Sequence, residues 1–445
     1  MTNASFSTVI LAAGKGTRMR SNLPKVLHQV AGKPLIAHVL LSVAPLSPKA
    51  TVVVVANGME DVKLASAKEN PSCLFAIQEQ QRGTGDAVRS ALPQIDKTSE
   101  YTLVLYGDTP LMRTEILRTL LDKEDNCDIA ILGMRVADPT GYGRLIVNHS
   151  GLVEAIVECK DATSEQKTIT LCNSGIMSVR THLLPDLLSK LNTNNANGEY
   201  YLTDIIALAN DAGHHCMVVE ADAAELGGIN TRVQLAAAEK ILQNRLRKSA
   251  MDNGATLTDP SSVFLSVDTK IGQDVVIAPN VFFGPNVTIG NNVEIRSFCH
   301  IEGAVVEQGA IVGPFARLRP GTVMAENSHV GNFVELKNTK LGKGAKANHL
   351  SYVGDSDVGA AANIGAGTIT CNYDGVNKYK TTIGAGAFIG SNSSLVAPVT
   401  IGDGAMVGAG SVITENVEAN ALAIARGTQV AKAGKAELIR NKKKH

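Results

Sequence analysis

The sequence predicts two units. The first is an α/β domain whose mostly parallel sheet is covered by helices, and the second is a three-sided parallel β-helix; one long helix joins them. Three observations predict this. Short buried apolar runs alternate with helix-period stretches through the first half. A long helix-forming run follows Asn230, and beyond it aliphatic side chains recur every six residues to about residue 418. A chain of 445 residues also exceeds one ordinary core and implies two or three domains.

In the first half, Ser7–Ala13, Thr51–Ala56 and Tyr101–Tyr106 read as buried strands, and Pro34–Val43, Asp61–Lys68 and Gly85–Leu92 as helices. Such alternation places helices on both faces of a mostly parallel sheet. Thr231–Asn253 is rich in Ala, Leu, Gln, Arg and Lys, with Gly254 as a stop, and reads as the linker helix. The expected division is 1–229, a linker helix at 230–254, and 255–445 including a basic, solvated tail.

The six-residue period runs through Ile271, Ile277, Phe283, Ile289, Ile295 and Ile301, slips by one, and continues at Val306, Val312, Leu318, Met324, Val330 and Leu336. Leu341, Ala347, Val353, Val358 and Ile364 follow, and the register resumes at Ile383 and runs to Ile413. Neither a flat sheet nor a helix has this period. A three-sided coil with one inward aliphatic side chain per face does, at about eight or nine coils. Gly often follows the aliphatic position, and its expected role is to relieve backbone strain where the chain turns. Between Ile364 and Ile383 the period fails, and Cys371–Thr381 reads as an inserted polar loop, where function usually sits in a solenoid.

Acidic and basic residues balance at 42 each, which gives no field for nucleic acid or membrane. No apolar run is long enough to span a bilayer and no signal peptide is visible. Seven scattered cysteines without a C-x-x-C pair fit neither a zinc site nor a disulfide framework and suit a reducing cytoplasm. Residues 1–59 hold no Asp or Glu but do hold Lys15, Arg18, Arg20, Lys25, Lys33 and Lys49, grouped about a glycine-rich turn, which points to an anion site.

That turn, Leu11-Ala12-Ala13-Gly14-Lys15-Gly16-Thr17-Arg18-Met19, lets phosphates approach the backbone while Lys and Arg supply charge. It is not a Walker A loop. It also lacks the third glycine and the acidic residue of a dinucleotide fingerprint. With Pro24-Lys25 downstream it resembles the signature of the sugar-1-phosphate nucleotidyltransferases, whose fold is Rossmann-like. The resemblance implies that Gln78–Ala87, with Gln78, Gly83 and Thr84, holds a uracil, and that Tyr106-Gly107-Asp108 closes a strand at the ligand edge of the sheet. It further implies sugar contacts at Gly143, Glu158 and Asn173, Mg²⁺ on Asp108 and Asn230, and charge stabilisation by Arg18 and Lys25. Arg82, in the same segment, carries no assignment.

In the second half, Arg319, Lys337, the segment Asn348-His349-Leu350-Ser351-Tyr352 (polar apart from Leu350), Asn363, Asn372, Tyr373 and Lys378 gather around the inserted loop. A convex prism has no deep pocket of its own, so a small-molecule site forms most easily between copies in a trimer. Over residues 6–430 the chain resembles the bacterial bifunctional enzymes that are both glucosamine-1-phosphate N-acetyltransferase and N-acetylglucosamine-1-phosphate uridylyltransferase, which feed peptidoglycan and lipopolysaccharide precursors. The hexapeptide resemblance also implies a left-handed coil, an exception to the right-handed crossover rule. The resemblance to the bifunctional enzymes implies His349 as general base and Arg319 and Lys337 on the sugar phosphate. Tyr352, Asn363, Asn372, Tyr373 and Lys378 would contact the sugar, and Ala366, Ser391, Ala409 and Arg426 would line acetyl-CoA. The implied partners are UTP, acetyl-CoA, glucosamine-1-phosphate and N-acetylglucosamine-1-phosphate, in a homotrimer. Two alternatives stay open: a single-activity nucleotidyltransferase with a structural or oligomerising β-helix, and a non-enzymatic scaffold.

Overall fold

The computed structural model describes residues 5–123 and 127–441. They form two compact units, 1–243 and 244–445, with the division inside the helix Arg232–Asp252. Within the first unit Glu239 on this helix accepts from the Ala31 amide at 2.7 Å. Within the second, Arg247 donates to the Val263 carbonyl at 2.7 Å. Gly254, at φ 100°, ends the helical stretch in the left-handed region.

The first unit is built on a nine-stranded sheet. Its main path runs Cys216–Glu220, Ile129–Arg135, Leu171–Arg180, Tyr101–Tyr106, Phe6–Leu11, Thr51–Ala56 and Leu74–Gln78. The strands are parallel except Leu171–Arg180, which opposes both of its neighbours. Strand residues alternate between two cores. Ile10, Val53, Val55, Leu103, Leu105 and Leu132 pack on one face, and Val9, Val52, Val54, Val104 and Ile131 on the other. That period of two with both faces apolar makes these strands continuous hydrophobic runs. The expected helices stand at Leu35–Val43, Glu60–Glu69 and Thr84–Ala91. The first strand stops at Leu11, so Ala12 and Ala13, read as strand, belong to the turn.

The second unit is a prism of three parallel sheets with 10, 8 and 8 strands, most of them two or three residues long. Ile271 pairs with Ile289 and Ile277 with Ile295, three hexads on. Ile289 pairs with Val306, one residue short of that, which is the slip seen in the sequence. The inward residues form one continuous core from Ala255 to Ile413. The break before Ile383 is narrower than expected. Ile369–Cys371 is a strand whose inward residue is Thr370, so the third face of that coil is present. The hexad reading missed it because Thr is not aliphatic; its hydroxyl accepts from the Gly354 amide at 2.8 Å. The tail carries a short exposed helix, Lys435–Asn441, and residues 442–445 lie outside the described part.

Most of the glycines after the aliphatic positions serve a different purpose from the one expected, although Gly313, at φ 91°, does relieve a left-handed turn. Gly384 has an ordinary φ, but a Cβ there would lie 2.4 Å from the Asp403 amide nitrogen in the next coil. These corners are glycine because coil backbones touch there. The left-handed turn positions are others, filled by Asn280, Asn286, Asn292, Asn327 and Asn392, and also by Phe298, Phe315, Phe333 and Leu350. Gly384→Ala should therefore destabilise the chain by about 1–3 kcal/mol through overpacking. Gly427→Ala, with open space around it, should fall within about 0.5 kcal/mol of the parent in urea unfolding.

Candidate active sites

Three parallel strands of the first unit end along one edge of the sheet and set the first site. Phe6–Leu11 delivers Ala12, Ala13 and Gly14; Tyr101–Tyr106 delivers Gly107 and Asp108; Leu74–Gln78 ends on Gln78. Gly16 sits at φ 59°, and a Cβ on it would lie 2.6 Å from the Lys25 Cβ, so only glycine lets the turn close over Lys25. The strand ends border a cavity of about 440 Å³. Of the expected residues, Leu11, Ala12, Ala13, Gly14, Lys25, Gln78, Gly83, Thr84, Tyr106 and Asp108 line it. Lys15, from the basic cluster about the turn, and Ala87, from the Gln78–Ala87 segment, line it too, as do Val26, Gln81 and Glu199, which carried no expected role. Gln81 donates to the Ala13 carbonyl, tying the glycine-rich turn to the Gln78–Ala87 segment. Its place within that segment was the available signal.

Asp108 and Asn230, far apart in sequence, converge on one cation. The Lys25 ammonium pairs with the Asp108 carboxylate and lies 2.9 Å from Asn230 Oδ1, which also accepts from Arg18 at 2.9 Å. The expected sugar contacts form a separate cluster. The Asn173 amide donates to the Gly143 carbonyl at 2.8 Å, and a Cβ on Gly143 would approach Glu158 Oε1 to 3.3 Å. Burial pushes the Glu158 carboxyl up, and Thr203 donates to it at 3.3 Å. Tyr106 links the two clusters: its ring packs against Gly175, and burial, with Glu158 and Asp108 nearby, pushes its phenol up. Gly107 sits behind the wall, where a Cβ would meet Ile36 at 2.9 Å.

On the prism the expected residues fall into two groups. His349, Ala366, Ser391 and Ala409 each stand two residues beyond the inward residue of successive coils, Ala347, Ile364, Ile389 and Val407. They form one column along an edge. Each of the first three carbonyls accepts a backbone hydrogen bond from the coil above: His349 from Gly367, Ala366 from Asn392 and Ser391 from Gly410. Arg426 donates to the Ala409 carbonyl at 2.8 Å and closes the column. One coil below His349 stands Asn332, which sequence reasoning missed although it lies one coil length upstream. His349 Nδ1 is 2.6 Å from Asn332 Oδ1. With that oxygen accepting, the proton sits on Nδ1 and Nε2 is left as the basic nitrogen.

The second group surrounds Asp355. Asn338 and Asn372 donate to its carboxylate, and Lys337 lies 3.9 Å away. Burial raises this carboxyl, but those two amides and the charges of Lys337 and Lys378 outweigh it and hold the group below the usual range. Tyr352 lays its hydroxyl over Gly354, the register partner of Lys337. Arg319 bonds Glu335 at 2.9 Å. Tyr373 pairs with Lys378 across the inserted loop, and Asn363 pairs with Lys346. A groove of about 430 Å³ does open on this prism, lined by Phe315, Arg317, Phe333, Val334, Glu335, Leu350, Ser351, Tyr352 and Ile369. Of the Asn348–Tyr352 segment, Leu350, Ser351 and Tyr352 stand in its wall, and Tyr352 is the one of them expected to contact the sugar.

Residues 8–173 match the MobA-like NTP transferase domain family, and residues 268–303 and 380–415 match the bacterial transferase hexapeptide family of six repeats. The chain is 52% identical over 447 residues to the "Bifunctional protein GlmU" of Paracoccus denitrificans, with 100% of both chains covered. It is 53% identical to the protein of that name from Paramagnetospirillum magneticum and 50% identical to that from Zymomonas mobilis, each over 99% of this chain and 98% of the relative. The chain belongs to the GlmU family. Its first unit is a Rossmann-like α/β nucleotidyltransferase domain and its prism a left-handed parallel β-helix. A single activity with a purely structural β-helix is not favoured, because the relatives named as bifunctional align through both units. Asn332→Ala, which removes the partner of His349 Nδ1, should slow acetyl transfer by about tenfold or more. Uridylyl transfer by the same preparation should keep its rate.

Proposed function

We propose that the two sites perform successive steps. At the prism edge the amine of glucosamine-1-phosphate attacks the acetyl-CoA carbonyl, His349 Nε2 takes the amine proton, and the CoA sulfur leaves. At the strand-end cavity a phosphate oxygen of N-acetylglucosamine-1-phosphate attacks the α-phosphorus of UTP, and pyrophosphate leaves. The bifunctional uridylyl- and acetyltransferase assignment is that of the family; the division of residues is our reading. The observation that carries it is the convergence of Arg18, Lys25, Asp108 and Asn230 beside a cavity formed by strand ends. No covalent intermediate is needed, so the residues act by positioning and charge.

Asp108 and Asn230 supply two hard oxygen atoms facing one cationic position, a donor set that fits Mg²⁺ with phosphates and water completing its shell. Among the described residues no group of three or more His, Cys, Asp or Glu could hold a metal, which suits a metal brought in with the nucleotide. Mg²⁺ there would offset charge on the phosphates. Lys25 and Arg18 would orient the triphosphate over Gly14, where the protein itself leaves open space. Gly143, Glu158 and Asn173 would hold the acetylated sugar.

On the prism, Arg319 and Lys337 would bind the sugar phosphate, with Tyr352, Asn363, Asn372, Tyr373 and Lys378 around the sugar. The column of Ala366, Ser391 and Ala409 suits a long thin ligand such as the pantetheine arm, with Arg426 at its end. Homotrimer formation would add a wall to this edge. An exposed stack of Phe298, Phe315 and Phe333, with ring centroids 4.8 and 5.1 Å apart, gives copies an apolar surface to share. Seven free cysteines and the lack of any long apolar helix among the described residues are in keeping with a cytoplasmic site of action.

The test supplies glucosamine-1-phosphate, acetyl-CoA, UTP and Mg²⁺ and follows free thiol and pyrophosphate separately. His349→Ala should lose thiol release by about 100-fold or more yet still couple added N-acetylglucosamine-1-phosphate. Arg18→Ala and Lys25→Ala should do the reverse, losing pyrophosphate release by a similar factor. Chelating the metal should stop only uridylyl transfer. Near-normal pyrophosphate release from both cation variants would overturn the assignment of the first site.

A further inference from the structure

Gln78 is almost fully buried at the end of its strand, and its side-chain amide is surrounded asymmetrically. Its Nε2 lies 3.0 Å from the Gly83 carbonyl and 3.1 Å from Asp86 Oδ2. Both are acceptors, so only the NH₂ end of the amide can face them. The reverse orientation would set a carbonyl oxygen against a carbonyl and a carboxylate. Both N–H groups of Gln78 are thereby spent, and Oε1 is what the side chain can present to the cavity it lines. Asp86 is itself held: its other oxygen accepts from Arg82 at 3.1 Å, and the Arg82 guanidinium stands 5.6 Å from the centre of the Tyr200 ring. The Tyr200 amide returns to the Arg82 carbonyl at 2.8 Å. A Cβ on Gly83, at φ 114°, would fall 2.5 Å from the Tyr200 carbonyl, so the Gly83 backbone packs directly on Tyr200 beside Gln78.

We propose that Asp86, braced by Arg82, is a specificity-determining positioning residue that fixes Gln78 as a hydrogen-bond acceptor toward the base. This rests on reading the cavity as the uridylyl-transfer site. A pyrimidine whose N3 carries hydrogen, as in uracil, meets Oε1 as a donor. Cytosine presents a lone pair at N3 and is rejected, and adenine is rejected for the same reason at N1. The choice between UTP and CTP is thus set outside the contact surface, by a carboxylate behind the reading residue. Leaving two acceptors opposed is a larger penalty than losing one neutral bond, which is why this device discriminates.

The experiment measures kcat/KM for UTP and for CTP with N-acetylglucosamine-1-phosphate in the full chain, comparing the parent with Asp86→Ala, Asp86→Asn and Gln78→Ala. Asp86→Ala should lower the UTP-to-CTP ratio by about tenfold, the worth of one well-placed hydrogen bond. Asp86→Asn, whose Oδ1 can still accept from Gln78, should restore most of the ratio. A purely structural role for Asp86 would lower both substrates alike and leave the ratio unchanged, which overturns the proposal. If Gln78→Ala also leaves the ratio unchanged, the base-binding reading of the cavity fails with it. A changed ratio in Gln78→Ala alone rejects only the role of Asp86.

Discussion

In the C-terminal unit each coil lies directly on the next with glycine corners in backbone contact, and that contact fixes every other feature of the prism. The Gly331, Gly359, Gly384 and Gly390 positions leave no room for a methyl group between successive turns. Because the coils stack this closely, a residue two places past an inward aliphatic always reappears above its counterpart. A line of function can then be assembled from residues many positions apart in sequence: Asn332, His349, Ala366, Ser391 and Ala409. The prism is thus a ruler, and its rigidity serves positioning.

The first unit positions its groups by another route. A doubly covered parallel sheet offers the ends of its strands as the one place where backbone and side chains face an opening. Gln78, Tyr106 and the Ala12–Gly14 turn arrive there from parallel strands of one sheet, and the strands ending at Leu11 and Tyr106 are anchored by buried Val, Ile and Leu on two faces. Cations and oxygen donors are then set against one another, so Lys25 has Asp108 and Asn230 as partners. The same logic recurs at Gln78, where a carboxylate behind the amide decides which end faces the cavity.

Sequence periodicity made the architecture legible because it reports which side chains must be inside. The hexads located nearly every coil, and the two-sided apolar runs located the central strands. Where the reading failed, a polar residue had taken an inward place, as at Thr370, or a rule of conformation had been applied to a rule of contact, as with most of the glycines after the aliphatic positions. The antiparallel placement of Leu171–Arg180 also left no mark, since a strand buried on both faces looks the same in either direction.

The sequence by itself determined the chain's two-part plan, the aliphatic inward residues of the prism, and the string of residues from Leu11 to Met19 that meets the anion site. Those features are local or periodic, and a linear string records them fully. The tertiary structure alone decided the partners: Asn332 for His349, Asn230 for Lys25 and Arg18, Asp355 for Lys337 and Asn372, and Asp86 for Gln78. Hydrogen bonds of this kind depend on which atoms come within about 3 Å after the chain has turned back on itself. Spacing in sequence does not encode that distance until the strands and coils are in place.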